Sequence, residues 1–305
     1  MSMKKYLDFL EQRFWIILVV GAILGVLLPG GGEQILGWLE YVTMSVLLIV
    51  FLRIDLRDLF SHIKQPVFQF YIVIMCLLVV PTVLYLLALP FGQDISLSVL
   101  LLTSMPAGVA SAALTGAFKG NSTLSVVITV LTSLVAPLTV PFLFGVLTTA
   151  TVDVSYWEMA GTLARVIFIP QIISQPIRLI AGNWIDSKKQ VFSIANMIFV
   201  GLLIFTAISL QRDVYLNNPK AIIIPVIVTT IIFAVVQVIG YKAAWWRDKS
   251  DKIAVSSSFT YINLSIAILL AAKFLGKDVL LYTAAAEIPW TIMPMVFSTV
   301  IRKIK

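Results

Sequence analysis

The chain has 305 residues, 60% of them hydrophobic and only 12% charged, with a net charge of +7. So little charge excludes an ordinary soluble domain and marks an integral membrane protein. Its single cysteine, Cys76, excludes an intrachain disulfide, and its single histidine, His62, leaves too few ligands for a transition-metal centre.

Apolar runs predict membrane helices over 14–28, 35–52, 67–89, 97–118, 122–147, 157–180, 191–210, 221–241, 253–273 and 279–301. The first run is too long, and too closely followed by others, to be a cleaved signal peptide. The runs continue to the last residues, so no separate soluble domain is expected. Span one carries Gly21 and Gly25, a small-xxx-small pair read as packing within the chain rather than dimerisation, and a monomer is expected. Span four is the most informative. It is apolar enough for a bilayer, yet Pro106 and Gly108 interrupt it, and Ser111 and Thr115 follow. A lipid-facing helix has no reason to break, because freed backbone groups in hydrocarbon cost several kcal/mol each. Secondary transporters place binding sites at such breaks. Span five adds Ser125, Thr129, Pro137 and Pro141, and span six contains Arg165. The centre of span nine is polar, with Ser256, Ser257, Ser258, Thr260, Tyr261, Asn263 and Ser265. It has neither proline nor internal glycine there, so the expectation of a break is weaker. Span ten contains Glu287 and Pro289.

Charge tests this count. Of 22 Lys and Arg residues, only Arg212, Lys220, Lys273 and Lys277 fall on one side, and Arg165 lies within a span. All others, among them Lys4, Arg57, Lys64, Lys119, Arg247, Lys249 and Lys305, fall on the opposite side. Basic loops stay cytoplasmic. Both termini are therefore expected in the cytoplasm, with the chain multi-pass in the inner (cell) membrane. The excess positive charge is accounted for by this topology, so no nucleic-acid partner is expected. Pro137 and Pro289 stand at the same sequence offset as Ser111 and Asn263. Spans four and nine, the two with polar centres, thus occupy matching places in two halves, 1–150 and 151–305. Five spans per half gives the halves opposite topology, the pattern of alternating-access carriers.

The stretches Pro106-Ala-Gly-Val-Ala-Ser111, Gly120-Asn121 and Leu124-Ser125 through Thr129 to Pro137 resemble the bile acid:sodium symporter family. Weaker support comes from Phe51-Leu-Arg-Ile-Asp-Leu-Arg-Asp-Leu, from Pro66 and Pro81 flanking span three, and from Pro170 to Arg178. The resemblance implies an all-α membrane protein of ten helices, built as two inverted five-helix repeats. It also implies a core domain and a panel domain, with helices four and nine unwound and crossed. The substrates it implies are organic anions, often moved with sodium. The chain departs from the family where sodium is bound. Ala112 follows Ser111 in place of an asparagine. Ser257 and Ser258 stand where helix nine carries a glutamate, Tyr261-Ile262-Asn263 replaces a Gln-Asn pair, and Cys76 replaces a glutamine in helix three. The surviving cation ligands, Ser111, Ser125 and Thr129, are all neutral. Opposite charges roughly 4 Å apart attract by about 4 kcal/mol at an effective dielectric of about 20, so a lost carboxylate argues against sodium coupling.

The reading is a secondary active transporter of a small or amphipathic organic anion. Its substrate site lies between helices four and nine, from Pro106, Gly108, Ala110, Ser111, Ala112, Thr260, Asn263 and Arg165. The coupling ion is sodium by family pattern, a proton through Glu287, or none, and no other cofactor is expected. The candidate cation ligands are Ser111, Ser125, Thr129, Ser257, Ser258 and Glu287. Ionisable residues inside a span default to function, but each has a bland competitor. Glu287 near the membrane surface, or paired with Arg165 or Lys273, is a structural charge. Arg165 can snorkel towards Trp157, and Ser125 and Thr129 can serve helix packing. Trp245-Trp246 beside Arg247 reads as an interfacial belt. An arsenite carrier would want a thiol near helix four, which Cys76 does not supply. An enzyme would need clustered His, Asp or Glu within the spans. A passive channel and a non-transporting receptor remain as other classes.

Overall fold

A backbone in a bilayer must satisfy its own hydrogen bonds, which favours helices throughout. The computed structural model describes residues 15–54, 65–148 and 155–303, almost entirely helical and with no strand among them. The first residue of span one, Lys4, Lys5, Arg13, Arg57, His62, Lys64 and Lys305 lie outside the described residues, as does the end of the Phe51–Leu59 segment. The helices used below are α1 (Trp15–Leu27), α2 (Leu39–Phe51), α3 (Pro66–Phe91), α4 (Gln93–Ser104), α5 (Ala110–Ala117) and α6 (Ser122–Leu147). They continue with α7 (Tyr156–Ser187), α8 (Lys189–Leu210), α9 (Pro219–Ala243), α10 (Lys249–Thr260), α11 (Leu264–Leu270), α12 (Gly276–Ala285) and α13 (Glu287–Lys303). Of these, α3, α6, α7, α8 and α9 are each long and apolar enough to cross a membrane. The stretches expected as spans one and two form shorter helices, and those expected as four, nine and ten are divided.

Proline explains much of the local irregularity. Pro81 lacks an amide hydrogen and crowds the carbonyl of Leu77, and α3 widens into a π turn over Met75–Val79 just before it. The helix α6 absorbs both Pro137 and Pro141 without ending. In α7, which contains Pro170 and Pro176, the helical backbone is interrupted at Ala181 (φ −121°, ψ 16°).

The chain forms two compact units, Met1–Arg57 with Thr162–Lys220, and Asp58–Gly161 with Ala221–Lys305. Each combines a stretch from before residue 150 with one from after it. In the first unit α1 lies against α8 through glycine. A Cβ on Gly21 would sit 2.5 Å from the Gly201 carbonyl oxygen, and one on Gly25 would sit 2.8 Å from that of Phe205. The Gly21/Gly25 pair thus serves packing inside the chain. Arginines close the ends: Arg178 Nη1 donates to the Leu52 carbonyl at 2.8 Å and Arg212 Nε to that of Val26 at 2.8 Å. In the second unit α10 approaches α9 at Gly240, where a Cβ would lie 2.9 Å from Ser256 Cα. Its core holds Leu100, Leu101, Ile128, Phe233 and Tyr261, all buried.

Candidate functional site

The second unit contains a crossing of two interrupted helices. The residue before a proline is pushed out of helical conformation, and Met105 is extended (φ −68°, ψ 144°), ending α4 at Ser104. The helix resumes as α5 at Ala110. The other helix stops at Thr260 and resumes at Leu264. The two gaps meet as an antiparallel bridge between Ala107 and Ile262. Gly108 N–H donates to the Tyr261 carbonyl at 2.8 Å, and Asn263 N–H donates to the Pro106 carbonyl at 2.9 Å. Each break therefore satisfies the backbone groups freed by the other. Gly108 has no alternative at this contact, since a Cβ would lie 2.9 Å from the Ile262 oxygen and 3.0 Å from that of Tyr261. Asn263 then caps α11, its Oδ1 accepting from Ile266 N–H at 3.3 Å.

Beside the crossing, hydroxyls from three helices form a chain. Ser111 Oγ of α5 lies 3.2 Å from Thr129 Oγ1 and 3.1 Å from Ser125 Oγ, both on α6. Ser125 Oγ in turn lies 3.0 Å from Ser258 Oγ of α10. All four residues are buried. Ser125 and Thr129 face inward together because they are one helical turn apart. Each hydroxyl brings one donor and two lone pairs, so the hydrogen-bonded chain still has acceptors to offer a cation, but no formal charge. Ser257 differs from its neighbour: it is buried, and its Oγ has no hydrogen-bond partner among the described residues. Thr260 Oγ1 is spent on the Ser256 carbonyl at 2.9 Å.

The remaining candidates divide. Ala110, Ala112 and Asn263 are half-buried around the crossing. Arg165 belongs to the other unit, where its Nη2 lies 3.4 Å from Glu40 Oε2 and its side chain is half exposed. Glu287 opens α13 just past the interruption at Ala286. It forms no ion pair among the described residues: Arg165 pairs with Glu40, and Lys273 lies 3.9 Å from Glu158. The pairing of Glu287 with Arg165 or Lys273 is thus not the one the structure adopts. Sequence reasoning missed Thr132, whose Oγ1 accepts the Ala107 N–H at 3.2 Å and so steadies the break of span four. Its signal was the placement of Thr132 roughly one turn beyond Thr129. It also missed Glu40, whose position at the start of α2 carried no mark of a partner in span six.

Crossed broken helices flanked by buried hydroxyls agree with what the sequence resembles, and a direct comparison decides the matter. Residues 42–218 match the Sodium Bile acid symporter family. The chain belongs to this family. It is also 24% identical over 221 residues to an uncharacterized sodium-dependent transporter, YocS, of Bacillus subtilis (strain 168), covering 70% of this chain and 68% of that protein. As a member of a transporter family with long apolar helices, it is a multi-pass membrane protein rather than one of an enzyme family. The family match takes in α5, α6 and Ser111, while α10, α11 and Glu287 lie beyond its end.

Proposed function

We propose that this family member carries a small or amphipathic organic anion by alternating access, with the substrate bound at the crossing of α4–α5 and α10–α11. The observation that carries the reading is the bridge Ala107–Ile262, which sets two helix interruptions against each other in an apolar unit. An interruption in a spanning helix is tolerated where it lines a cavity, and carriers use it to aim half-helix ends at the substrate. The start of α5 at Ala110 presents such a positive end to a carboxylate or sulfonate. Ala110, Ala112, Thr260 and Asn263 border the site, with Pro106, Gly108 and Ser111 fixing its backbone. Arg165 stays a candidate anion anchor on the strength of its guanidinium, which is paired here with Glu40. Ten spans in two inverted halves, cytoplasmic termini and a monomer complete the reading.

The coupling ion is argued from charge. The curated relative is described as sodium-dependent. Here the chain Thr129–Ser111–Ser125–Ser258 offers neutral oxygens that already bond one another, and a sodium ion held there would lack a carboxylate's attraction, which argues against sodium coupling. Glu287, which has no ion-pair partner among the described residues, supports a second reading in which a proton is the coupling ion. The test is counter-flow in proteoliposomes with taurocholate and a panel of small organic acids. Saturable uptake, accelerated by preloaded substrate and unchanged when choline replaces sodium, is expected. A linear flux would make the protein a channel, and binding without flux a receptor. Sodium-dependent uptake would show that neutral oxygens suffice. Uptake that follows an imposed pH gradient and is lost in Glu287→Gln would establish the proton.

A further inference from the structure

The second unit carries a polar pocket of about 270 Å³ that the crossing does not use. It lies where α3, α6 and α10 begin: Gln65 precedes α3, Thr123 is in the first turn of α6, and Asp251 in that of α10. Helix starts carry partial positive charge. Asp251 is already committed. Its Oδ2 accepts from Arg247 Nε at 2.8 Å and Nη2 at 2.6 Å, and its Oδ1 accepts from Asn121 Nδ2 at 2.9 Å. Arg247 and Asp251 offset each other, and Asp248, which caps α10 by accepting from Asp251 N–H at 2.9 Å, offsets one of Lys249 and Lys252, so beside the pocket the segment keeps an excess of one basic residue next to the helix starts. Gln69 lines it, only 5% exposed, with an Oε1 that has no partner among the described residues.

Gln69 also lines a second, almost wholly apolar groove of about 710 Å³ between α3 and α6. The wall that α6 gives to both is one stripe at four-residue spacing. Val127 stands in the polar pocket, and Leu131, Val135 and Thr139 follow in the groove. At 1.5 Å per residue the stripe runs roughly 18 Å along the helix. Aromatic rings mark the depth of the polar end. Trp246 packs against Phe68 and Tyr71, with centroids 6.0 and 5.4 Å apart, and Trp245 is exposed beside it. Such rings gather at the headgroup level of a bilayer.

We propose that pocket and groove together seat one anionic phospholipid with a hydroxylated headgroup. Its phosphate lies against Arg247 Nη1 and the start of α6, a headgroup hydroxyl donates to Gln69 Oε1, and an acyl chain follows the Val127–Thr139 stripe. A free phosphate would leave the groove uncovered, and a zwitterionic lipid would set its ammonium among positive helix starts. The proposal shares with the functional reading only the assignment of this basic end to the anionic cytoplasmic leaflet. The test uses the full chain purified in detergent, with phosphatidylglycerol, phosphatidylcholine or inorganic phosphate added. Retained lipid is read by native mass spectrometry and the melting temperature by fluorescence. Phosphatidylglycerol should be retained roughly fivefold over phosphatidylcholine, the preference that one arginine near the surface supplies. It alone should raise the melting temperature. Val135→Trp, which fills the groove, should abolish both effects. Gln69→Leu removes a buried unpartnered polar group, so it should fold, and it should reduce the preference. Equal retention of the two lipids overturns the proposal, and so does a preference that survives in both variants. An equal rise with inorganic phosphate, or with taurocholate added as a fourth arm, also overturns it, reassigning the pocket to a free anion or to the transported substrate. Binding is read without transport, so failure here leaves the carrier reading standing, and the reverse holds as well.

Discussion

At the scale of single residues the site turns on which oxygens carry charge. Ser257 and Ser258 are adjacent in sequence, and both stood as replacements for a carboxylate in helix nine. About 100° of rotation separates neighbours on a helix, and only Ser258 turns its Oγ to Ser125, at 3.0 Å. Ser258→Glu is therefore expected to restore a charged cation ligand, and Ser257→Glu is not. Opposite charges roughly 4 Å apart gain about 4 kcal/mol at an effective dielectric of about 20. A ligand present at a hundred times its dissociation constant stabilises by about 2.7 kcal/mol. Purified Ser258→Glu should melt higher in sodium chloride than in choline chloride at equal ionic strength, while the parent protein shows no difference. If the parent itself shows the sodium-specific rise, the neutral hydroxyls already bind the ion. Ser111 was legible because it follows a visible break, and Ser125 and Thr129 because they keep the neutral ligands of the family pattern one helical turn apart. Thr132 was not, because a threonine inside an apolar helix most often bonds its own backbone. Thr132 does so as well, donating to the Ile128 carbonyl at 2.7 Å, and its second task depends on a segment 25 residues away.

At the scale of elements the asymmetry between the two breaks is instructive. Pro106 announces the interruption of span four in the sequence, whereas span nine has no residue that forces one. Its break comes from the partner: Pro106 supplies a free carbonyl to Asn263 N–H, and Gly108 supplies an N–H to the Tyr261 carbonyl. A non-local cause of this kind leaves no local signature, which is why the polar patch was readable and the interruption less so. The same argument makes Gly108 the pivot of both helices. Gly108→Val places atoms within about 3 Å of two carbonyl oxygens that cannot move without parting the bridge. Overpacking of this kind costs about 1–3 kcal/mol, so the variant should melt several degrees lower. Its uptake should fall much further than its stability, because the half-helix ends lose their mutual alignment. Gly182→Val serves as the control. The nearest atom to a Cβ there is the flexible Arg178 Cγ at 3.8 Å, so uptake should hold. Equal losses in the two variants would dissociate the crossing from transport.

At the scale of the whole molecule the sequence carried class and family further than architecture. Composition identified a membrane protein, and the Pro106–Pro137 region identified the family. Helix lengths were harder to read, because hydropathy reports how apolar a stretch is and not whether its backbone is continuous. Span ten is one apolar run in sequence but two helices in space, α12 and α13, meeting at Ala286. The grouping of α1, α2 and α8 in one unit, and of α3 to α6 with α9 to α13 in the other, rests on pairings between distant stretches that no local pattern encodes. Topology is where sequence and structure can be tested together. The basic count puts Lys249 in the cytoplasm and Lys277 outside, and both residues are exposed. Cys76 is buried and is the chain's only cysteine, so Cys76→Ala gives a silent background at the cost of a small cavity. On that background Lys277→Cys in intact cells should react with a membrane-impermeant maleimide. Lys249→Cys should react only after the membrane is opened. The reverse pattern would invert the protein in the bilayer, and labelling of both from one side would remove one crossing between α10 and α12. Only the second result would undo the antiparallel halves, since an odd number of spans in each half is what gives the halves opposite topology, and inversion of the whole chain leaves that number unchanged.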